Sequence, residues 1–311
     1  MDWDELVEEK GKKNEQGDIV SFTLIGSTII EGLPPEITQL TALTELHIWS
    51  NRLQPLPGEI GQLSSLTTLH LRHSRLETLP PEIGQLTSLT TLSVRGNQLR
   101  TLPSDVGKLT GLTGLDISAN QLRTLPRWID QLKALVRLDV AHNQLQTIPA
   151  AIDQLISLTK LDVSINGLET LPPEIGQLRK LTYLNVWVNK LETLPRELGQ
   201  LTALTELNVA ANQLRTIPIE IGRLTRLIKL YITSNPLETI PPIVPTCHSN
   251  DMSFNTQKSS FERWKKRARI GLSYAVCWTR RRRKGRRDGL VKLPRMITRH
   301  LIELLFGGYD E

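Results

Sequence analysis

Residues 79–99 read LPPEIGQLTSLTTLSVRGNQL, and this stretch decides the fold because near-copies of it follow one another along the chain. Within it, residues 89–99 have the pattern LxxLxLxxNxL, which residues 112–122 repeat 23 positions later. The asparagine position recurs from residue 51 to residue 235 in eight steps of 23 residues, and only Ser74 departs from asparagine. A pattern that stays in phase over this distance indicates a repeat protein.

Each position of the repeat has a physical reason. The LxL segment is typical of a short strand whose apolar side chains point inward, and the asparagine can bond backbone groups where the chain bends. Pro80 suits the first turn of a short helix, and Gly84 disfavours a long one. Because one repeat cannot bury its own apolar face, neighbours must stack. The sequence therefore predicts an α/β solenoid, a curved arm with a parallel β-sheet on its concave face and short helical turns on its convex face.

The repeat boundaries divide the chain into four predicted segments. A capping helix is expected over residues 2–13, where the apolar residues at helical spacing are Trp3, Leu6 and Val7. Nine clear repeats follow a degenerate first copy, which we align through Val20, Ile25, Thr28 and Ile30. The predicted segments are 1–17 for the N-terminal cap, 18–245 for the leucine-rich solenoid, 246–259 for a polar linker and 260–311 for a basic C-terminal extension.

The repeat LPPEIGQLTSLTTL…GNQL resembles the intracellular leucine-rich-repeat family, and the resemblance covers roughly residues 1–245. That family includes Ras-binding scaffold proteins, plant intracellular Ras-group repeat proteins and the repeat arms of bacterial Roco-type proteins. The resemblance implies a solenoid that recognises a protein partner, with a small GTPase or a phosphatase as the class of partner. It does not extend to a GTPase domain, because no GxxxxGK[ST] phosphate loop occurs in the sequence.

Composition and charge favour an intracellular binding protein. The chain has two cysteines, Cys247 and Cys277, too few for the disulfide-closed ends of extracellular repeat arms. Its first residues are acidic, unlike a secretory signal, and no apolar stretch approaches the roughly 20 residues of a membrane span. We therefore expect a cytoplasmic location. No catalytic, metal or cofactor motif is visible, so we expect no enzyme activity, no cofactor and no small-molecule substrate.

The strand positions that point away from the core predict the partner-binding surface. The predicted contact residues are His47, Trp49, His70, Arg72, Arg95, Asp116, Asp139, Asp162, Tyr183, Asn185, Trp187 and Tyr231. Exposed aromatic residues on such a face are typical of binding hot spots, although they can also shield the backbone. The three aspartates should repel one another unless Arg137 and Lys160 offset their charge. The histidines are either ordinary surface residues or, with a third ligand, a metal site.

The basic extension is the feature that the repeat does not explain. Residues 256–311 hold 16 Lys and Arg against 5 Asp and Glu, a net charge of +11, which leaves 22 basic and 27 acidic residues, a net of −5, in the rest of the chain. Seven of the eight residues of one run are basic, namely Arg280, Arg281, Arg282, Arg283, Lys284, Arg286 and Arg287. Contact with an anionic membrane, contact with nucleic acid or a nuclear location, a cap on the arm and a solvated tail all remain open.

The sequence thus predicts a non-enzymatic protein-interaction arm or scaffold, in intracellular signalling, that binds its partner on the concave face. The alternative function is association with nucleic acid or an anionic membrane through the basic extension, which would add a nuclear or membrane-peripheral location.

Overall fold

The computed structural model describes residues 3–25, 32–49, 53 and 55–239 of the 311 residues. In this part of the chain one sheet of eleven strands runs in chain order, and all neighbours pair in parallel except β1 with β2. The strands are β1 Gly11–Lys13, β2 Ile19–Ile25, β3 Glu45–Trp49, β4 Thr68–Arg72, β5 Thr91–Ser93, β6 Gly114–Asp116, β7 Arg137–Asp139, β8 Lys160–Asp162, β9 Tyr183–Asn185, β10 Glu206–Asn208 and β11 Lys229–Tyr231. The predicted curved α/β solenoid is confirmed.

Short 3₁₀ turns connect successive parallel strands on the convex side. Their bounds are Pro35–Gln39, Gly58–Gln62, Pro81–Gln85, Ser104–Lys108, Arg127–Gln131, Ala150–Gln154, Pro173–Gln177, Arg196–Gln200 and Ile219–Arg223. An extended proline precedes each turn, as Pro172 does with φ −68° and ψ 140°. Proline fits this entry position because it has a fixed φ and no backbone N–H, but Pro80, which was expected in the first turn, lies in extended backbone immediately before Pro81–Gln85.

The N-terminal cap is a shorter helix than predicted. Helix α1 spans Trp3–Lys10, and Gly11–Lys13 forms β1 instead of continuing the helix. A Cβ atom at Gly11 would lie 2.5 Å from the Val7 carbonyl oxygen, so only glycine allows the chain to turn away there. Leu6 and Val7 are buried, and the Trp3 ring packs edge-on against Phe22 with centroids 5.5 Å apart. The end of the core is thereby covered.

The first repeat has a different register from the one we aligned. Phe22 and Leu24 are fully buried, whereas Ile25 is 55% exposed at the end of β2. Ile25 pairs with Trp49, a step of 24 residues, while later strands pair in steps of 23. A shift of one residue moves every side chain to the other face of a sheet. The alignment through Val20 and Ile25 was therefore wrong, and Ile25 belongs to the concave surface.

Two rows of side chains connect neighbouring repeats through hydrogen bonds to the backbone. Each asparagine of the motif from Asn97 to Asn235 accepts a bond from a backbone N–H 21 residues earlier and donates to a carbonyl 26 residues earlier. At the start of the strands, threonine hydroxyls donate to the carbonyl oxygen of the preceding repeat, as Thr182 does to Thr159 at 3.0 Å. The asparagine bonds were predicted, but the threonine row was not.

The residue just before the motif asparagine, or before Ser74, has a left-handed backbone in each of the repeats from His73 to Ser234. Ala119 has φ 52°, and Gly96 holds the equivalent position with φ 71°. A Cβ atom in this conformation costs roughly 1–2 kcal/mol. We expect Ala119→Gly to raise the free energy of unfolding by about 0.5–1 kcal/mol, once the greater freedom of glycine in the unfolded chain is subtracted.

Ala134→Gly is the matched control for this prediction, because Ala134 lies in a turn and does not have a positive φ. There the same change should lower the free energy of unfolding by about 0.5–1 kcal/mol. Chemical denaturation of both variants measures the two signs, and a loss of stability in Ala119→Gly would contradict the strain argument.

Several sequence predictions lie outside the described residues. They concern Thr28 and Ile30, the motif asparagine at position 51, the linker at 246–259 and the basic extension at 260–311.

Candidate partner-binding site on the concave face

Strand register places the predicted contact residues in rows that cross the sheet. His47 pairs with His70, and Trp49 pairs with Arg72. The row through His47 continues with Ser93, Asp116, Asp139, Asp162, Asn185, Asn208 and Tyr231. A parallel row at the strand starts contains Glu45, Thr68, Thr91, Gly114, Arg137, Lys160, Tyr183, Glu206 and Lys229. Neighbours within a row are about 4.8 Å apart.

At the N-terminal end of the face, an arginine covers a tryptophan. The Arg72 guanidinium lies 5.8 Å from the centroid of the Trp49 ring, in a cation–π contact. Arg72 Nε also donates to Ser93 Oγ at 2.9 Å, and its Nη2 lies 3.8 Å from Asp116 Oδ2. These bonds hold the guanidinium in place. Trp49 remains 36% exposed beside Ile25, so this end presents an apolar patch with a fixed cation.

The two histidines of this end contact each other. His47 Nδ1 and His70 Nδ1 are 2.9 Å apart, a distance at which one ring donates and the other accepts. His47 Nε2 lies 3.6 Å from Glu45 Oε2. Burial, with help from the neighbouring Arg72 and His47, lowers the pKa of His70 to about 4. His70 is therefore neutral at neutral pH, and which ring of the pair donates depends on the tautomers of the two side chains.

This shift predicts an acid-sensitive contribution to stability. The pKa of His70 in the folded state, about 4, lies below the ordinary 6.5, so the unfolded chain binds more protons between these two values. The stabilisation is present above pH 6.5 and is lost as the pH falls towards 4. Between pH 7.5 and pH 5, the free energy of unfolding of the parent should fall by about 1–2 kcal/mol more than that of His70→Gln, after allowance for solvent screening.

Denaturant titrations at both pH values, with the exposed His142→Gln as control, test this expectation. An identical pH dependence in the parent and in His70→Gln would contradict it.

The aspartate row in the middle of the face is held by hydrogen bonds within each repeat and from neighbouring strands. Asp116 Oδ1 accepts from the Ser118 N–H and hydroxyl at 3.1 and 2.6 Å, and Ser93 Oγ donates to Asp116 Oδ2 at 2.9 Å. Asp162 has the same arrangement with Ser164, and its Oδ2 accepts from Asn185 Nδ2 at 2.9 Å. These donors stabilise the carboxylates of Asp116 and Asp162.

Asp139 has the fewest donors in this row. Its Oδ1 accepts from the Ala141 N–H at 3.0 Å, and alanine has no hydroxyl to add a second bond. Burial, together with the charges of Asp116 and Asp162 on the neighbouring strands, raises the pKa of Asp139 to about 6. The expected offset by Arg137 and Lys160 does not take the form of ion pairs, because the ion pairs among the described residues do not include these two side chains.

At the C-terminal end of the face, the aromatic group is only partly available. Trp187 is 41% exposed, and Tyr183 is half-buried, with a pKa raised to about 12 chiefly by burial. Asn185 is buried and accepts from the Trp187 N–H at 3.1 Å, so it supports the surface rather than presenting itself. Tyr231 lies on the last described strand.

The structure adds a hollow that the sequence analysis missed. About 740 Å³ of open space lies over β4 to β9, between Arg72 and Tyr183. Gly114 lies on the central strand β6, and a Cβ atom there would meet only Thr91, at 3.6 Å. The backbone therefore does not require glycine at this position, and the missing side chain opens the face. An isolated glycine in a strand was the available signal.

A profile described as a leucine-rich repeat region matches residues 68–144 and 137–241. The chain belongs to the leucine-rich repeat family. A leucine-rich repeat protein of Leptospira interrogans is 34% identical, with a TM-score of 0.67 over 80% of this chain and 70% of the other. A search of curated proteins gave no match.

Two plant receptors are also similar to this chain. The plant peptide hormone receptor RGFR1, solved with RGF2, is 27% identical with a TM-score of 0.61, and the match covers 76% of this chain and 46% of the receptor. The ectodomain of GASSHO1/SCHENGEN3 from Arabidopsis thaliana, solved with CASPARIAN STRIP INTEGRITY FACTOR 2, is 25% identical with a TM-score of 0.63 over 78% and 33% of the two chains. The leucine-rich repeat fold is a protein-interaction scaffold, which is the level of function that the family gives to this chain.

Two further observations bear on the remaining predictions. Within the described ranges, no helix is long and apolar enough to cross a membrane. Over the same residues, no group of three or more His, Cys, Asp or Glu side chains is placed to hold a metal ion.

Proposed function

We propose that this chain is a non-enzymatic binding arm that engages a protein partner on its concave face, as a scaffold in intracellular signalling. One observation carries the proposal. Trp49 and Trp187, two of the large apolar side chains exposed on the described surface, occupy the same repeat position on the same face, at its two ends. Exposed tryptophans are uncommon on a surface and frequent among binding hot spots.

The separation of the two tryptophans suits a protein rather than a small molecule. Six strand steps of about 4.8 Å place them about 29 Å apart along the sheet. Polar and charged side chains lie between them, so the surface has apolar anchors at both ends and charges that set the register of a partner. A polypeptide of about nine extended residues would span that distance. A small GTPase or phosphatase follows only from the family resemblance, and the cytoplasmic location follows only from the composition.

Loss of binding in tryptophan variants tests this proposal. We expect Trp49→Ala and Trp187→Ala each to reduce the capture of partner proteins from native lysate by about 30-fold, the effect of losing a hot spot of about 2 kcal/mol. Quantitative mass spectrometry of proteins that bind to the immobilised full chain measures the change.

Exposed isoleucines away from the face serve as matched controls. Ile156 is 60% exposed and lies beside a convex turn, and Ile219 is 58% exposed and lies within one. Their alanine variants should retain the partners, and circular dichroism should show an unchanged fold in all four proteins. Partners lost with the isoleucine variants, and kept with the tryptophan variants, would move the interface to the convex side.

A further inference from the structure

The two exposed tryptophans of the concave face differ in whether a cation covers the ring, and the proposed function does not depend on this difference. Arg72 of the neighbouring strand covers the Trp49 ring at 5.8 Å. Trp187 has small neighbours in its row, Ser164 and Ala210, and within the described residues it has no ring or cation partner. Trp49 and Trp187 hold the same repeat position, but an arginine covers the ring of Trp49 and none of the described arginines covers the ring of Trp187.

Acidic side chains on the two strands that precede β9 also suit a cation. Asp139 lies on β7, Asp162 lies on β8, and Tyr183 is the first residue of β9. Asp139 Oδ2 has no hydrogen-bond donor among the described residues. We call Asp139, Asp162, Tyr183 and Trp187 the acidic–aromatic surface. Guanidinium groups bind carboxylates through planar pairs of N–H donors and stack on tryptophan faces, so this surface is complementary to arginine.

The chain itself carries an arginine segment of matching charge. Residues 280–287 contain seven basic residues and lie within residues 256–311, which carry a net charge of +11 against −5 for the rest of the chain. Forty residues, 240–279, separate this segment from Thr239, the last described residue, which lies beyond β11 at the nearer end of the face. From β11 to β7 is four strand steps, about 19 Å, whereas 40 residues can span at most about 130 Å. The tether is long enough and keeps the local concentration of the segment high.

We propose that residues 280–287 bind in cis to the acidic–aromatic surface and compete there with the protein partner for the concave face. The competition rests on the proposed function, but the binding of the segment does not. The arginines neutralise Asp139 and Asp162, which form no ion pair among the described residues, and one guanidinium stacks on Trp187 as Arg72 stacks on Trp49.

Site-directed crosslinking of the full chain tests the contact. Cys277 lies three residues before Arg280 and is the only cysteine left in a Cys247→Ser background. Lys160→Cys adds a thiol to the exposed part of the concave face, in the strand of Asp162. Lys180→Cys is the matched control, an exposed lysine in the turn before β9. A short bismaleimide joins the two thiols wherever they approach within its reach.

We expect the Lys160→Cys protein to crosslink to Cys277 within one chain at least ten-fold faster than the Lys180→Cys protein in 50 mM salt. Replacement of the seven basic residues by glutamine, or addition of 500 mM salt, should remove that difference, because both weaken the charge pairing. Asp139→Asn combined with Trp187→Ala should reduce it several-fold.

Three results would overturn the proposal. They are equal crosslinking rates at the two positions, a difference that persists in the glutamine variant, and crosslinks that join two chains. These results leave the proposed function untouched, because partner capture through Trp49 and Trp187 is measured separately. If both proposals hold, the glutamine variant should also capture more partner than the parent.

Discussion

Asn166→Ala is expected to lower the free energy of unfolding of the arm by about 2–4 kcal/mol, because it removes four partly buried hydrogen bonds at once. Asn166 Oδ1 accepts from the Leu145 N–H at 2.9 Å, and its Nδ2 donates to the carbonyl oxygens of Val140, Val163 and Ser164 at 3.1 Å each. Alanine leaves these partly buried backbone groups without the side chain that joins two repeats.

Asn208→Ala is the matched control for Asn166. Asn208 faces the concave side and accepts one backbone bond, from the Ala210 N–H at 3.1 Å, so its loss should cost about 1 kcal/mol. Chemical denaturation compares the two variants, and hydrogen exchange at the Leu145 amide reports local opening. Repeat arrays can unfold in several steps, and a single free energy of unfolding is then not defined. The hydrogen-exchange measurement still tests the prediction in that case. A similar cost for both asparagines would refute this account of the motif.

Gly176→Ala is expected to cost about 2–3 kcal/mol, although it adds only one methyl group. A Cβ atom at Gly176 would lie 2.5 Å from the Glu197 carbonyl oxygen and 2.9 Å from Glu197 Cβ, in the next convex turn. Since the nearest atom belongs to the backbone, two adjacent repeats would have to move apart. Thermal unfolding of the variant measures the loss.

Asp153→Ala gives the reference for this prediction. Asp153 occupies the position of Gly176 in the preceding repeat and already carries a Cβ atom. Its replacement by alanine should change stability by less than about 0.5 kcal/mol. If Gly176→Ala is as mild, the convex turns can separate without cost, and glycine at this position has another explanation.

The repeat geometry separates stability from recognition in this arm. The buried leucines, the asparagines and the threonine row make the same contacts in successive repeats, so they are silent about the partner. The side chains at the concave positions differ from repeat to repeat. Along one face they place the Trp49–Arg72 pair, then the aspartate row and then Trp187. A change of partner therefore needs new side chains only on the concave face, which leaves the core contacts intact.

The sequence by itself determined the period of the arm, the parallel sheet, the convex turns and the rows of the concave face. It could do so because each repeat contacts only its neighbours, and a spacing of 23 residues then fixes which side chains adjoin. Asp116, Asp139 and Asp162 were placed on successive strands for this reason, and their register is confirmed.

Only the tertiary structure decided matters that depend on single distances. The extra residue in the first step exposes Ile25, the 2.9 Å separation of the ring nitrogens makes His47 and His70 one unit, and the missing hydroxyl at Ala141 leaves Asp139 with a single donor. Gly84, at the repeat position that Gly176 also holds, was expected to limit helix length, whereas glycine at this position lets two convex turns touch. A repeat pattern gives the order of contacts along the arm, but side-chain direction, burial and close approach arise only when the repeats are packed together.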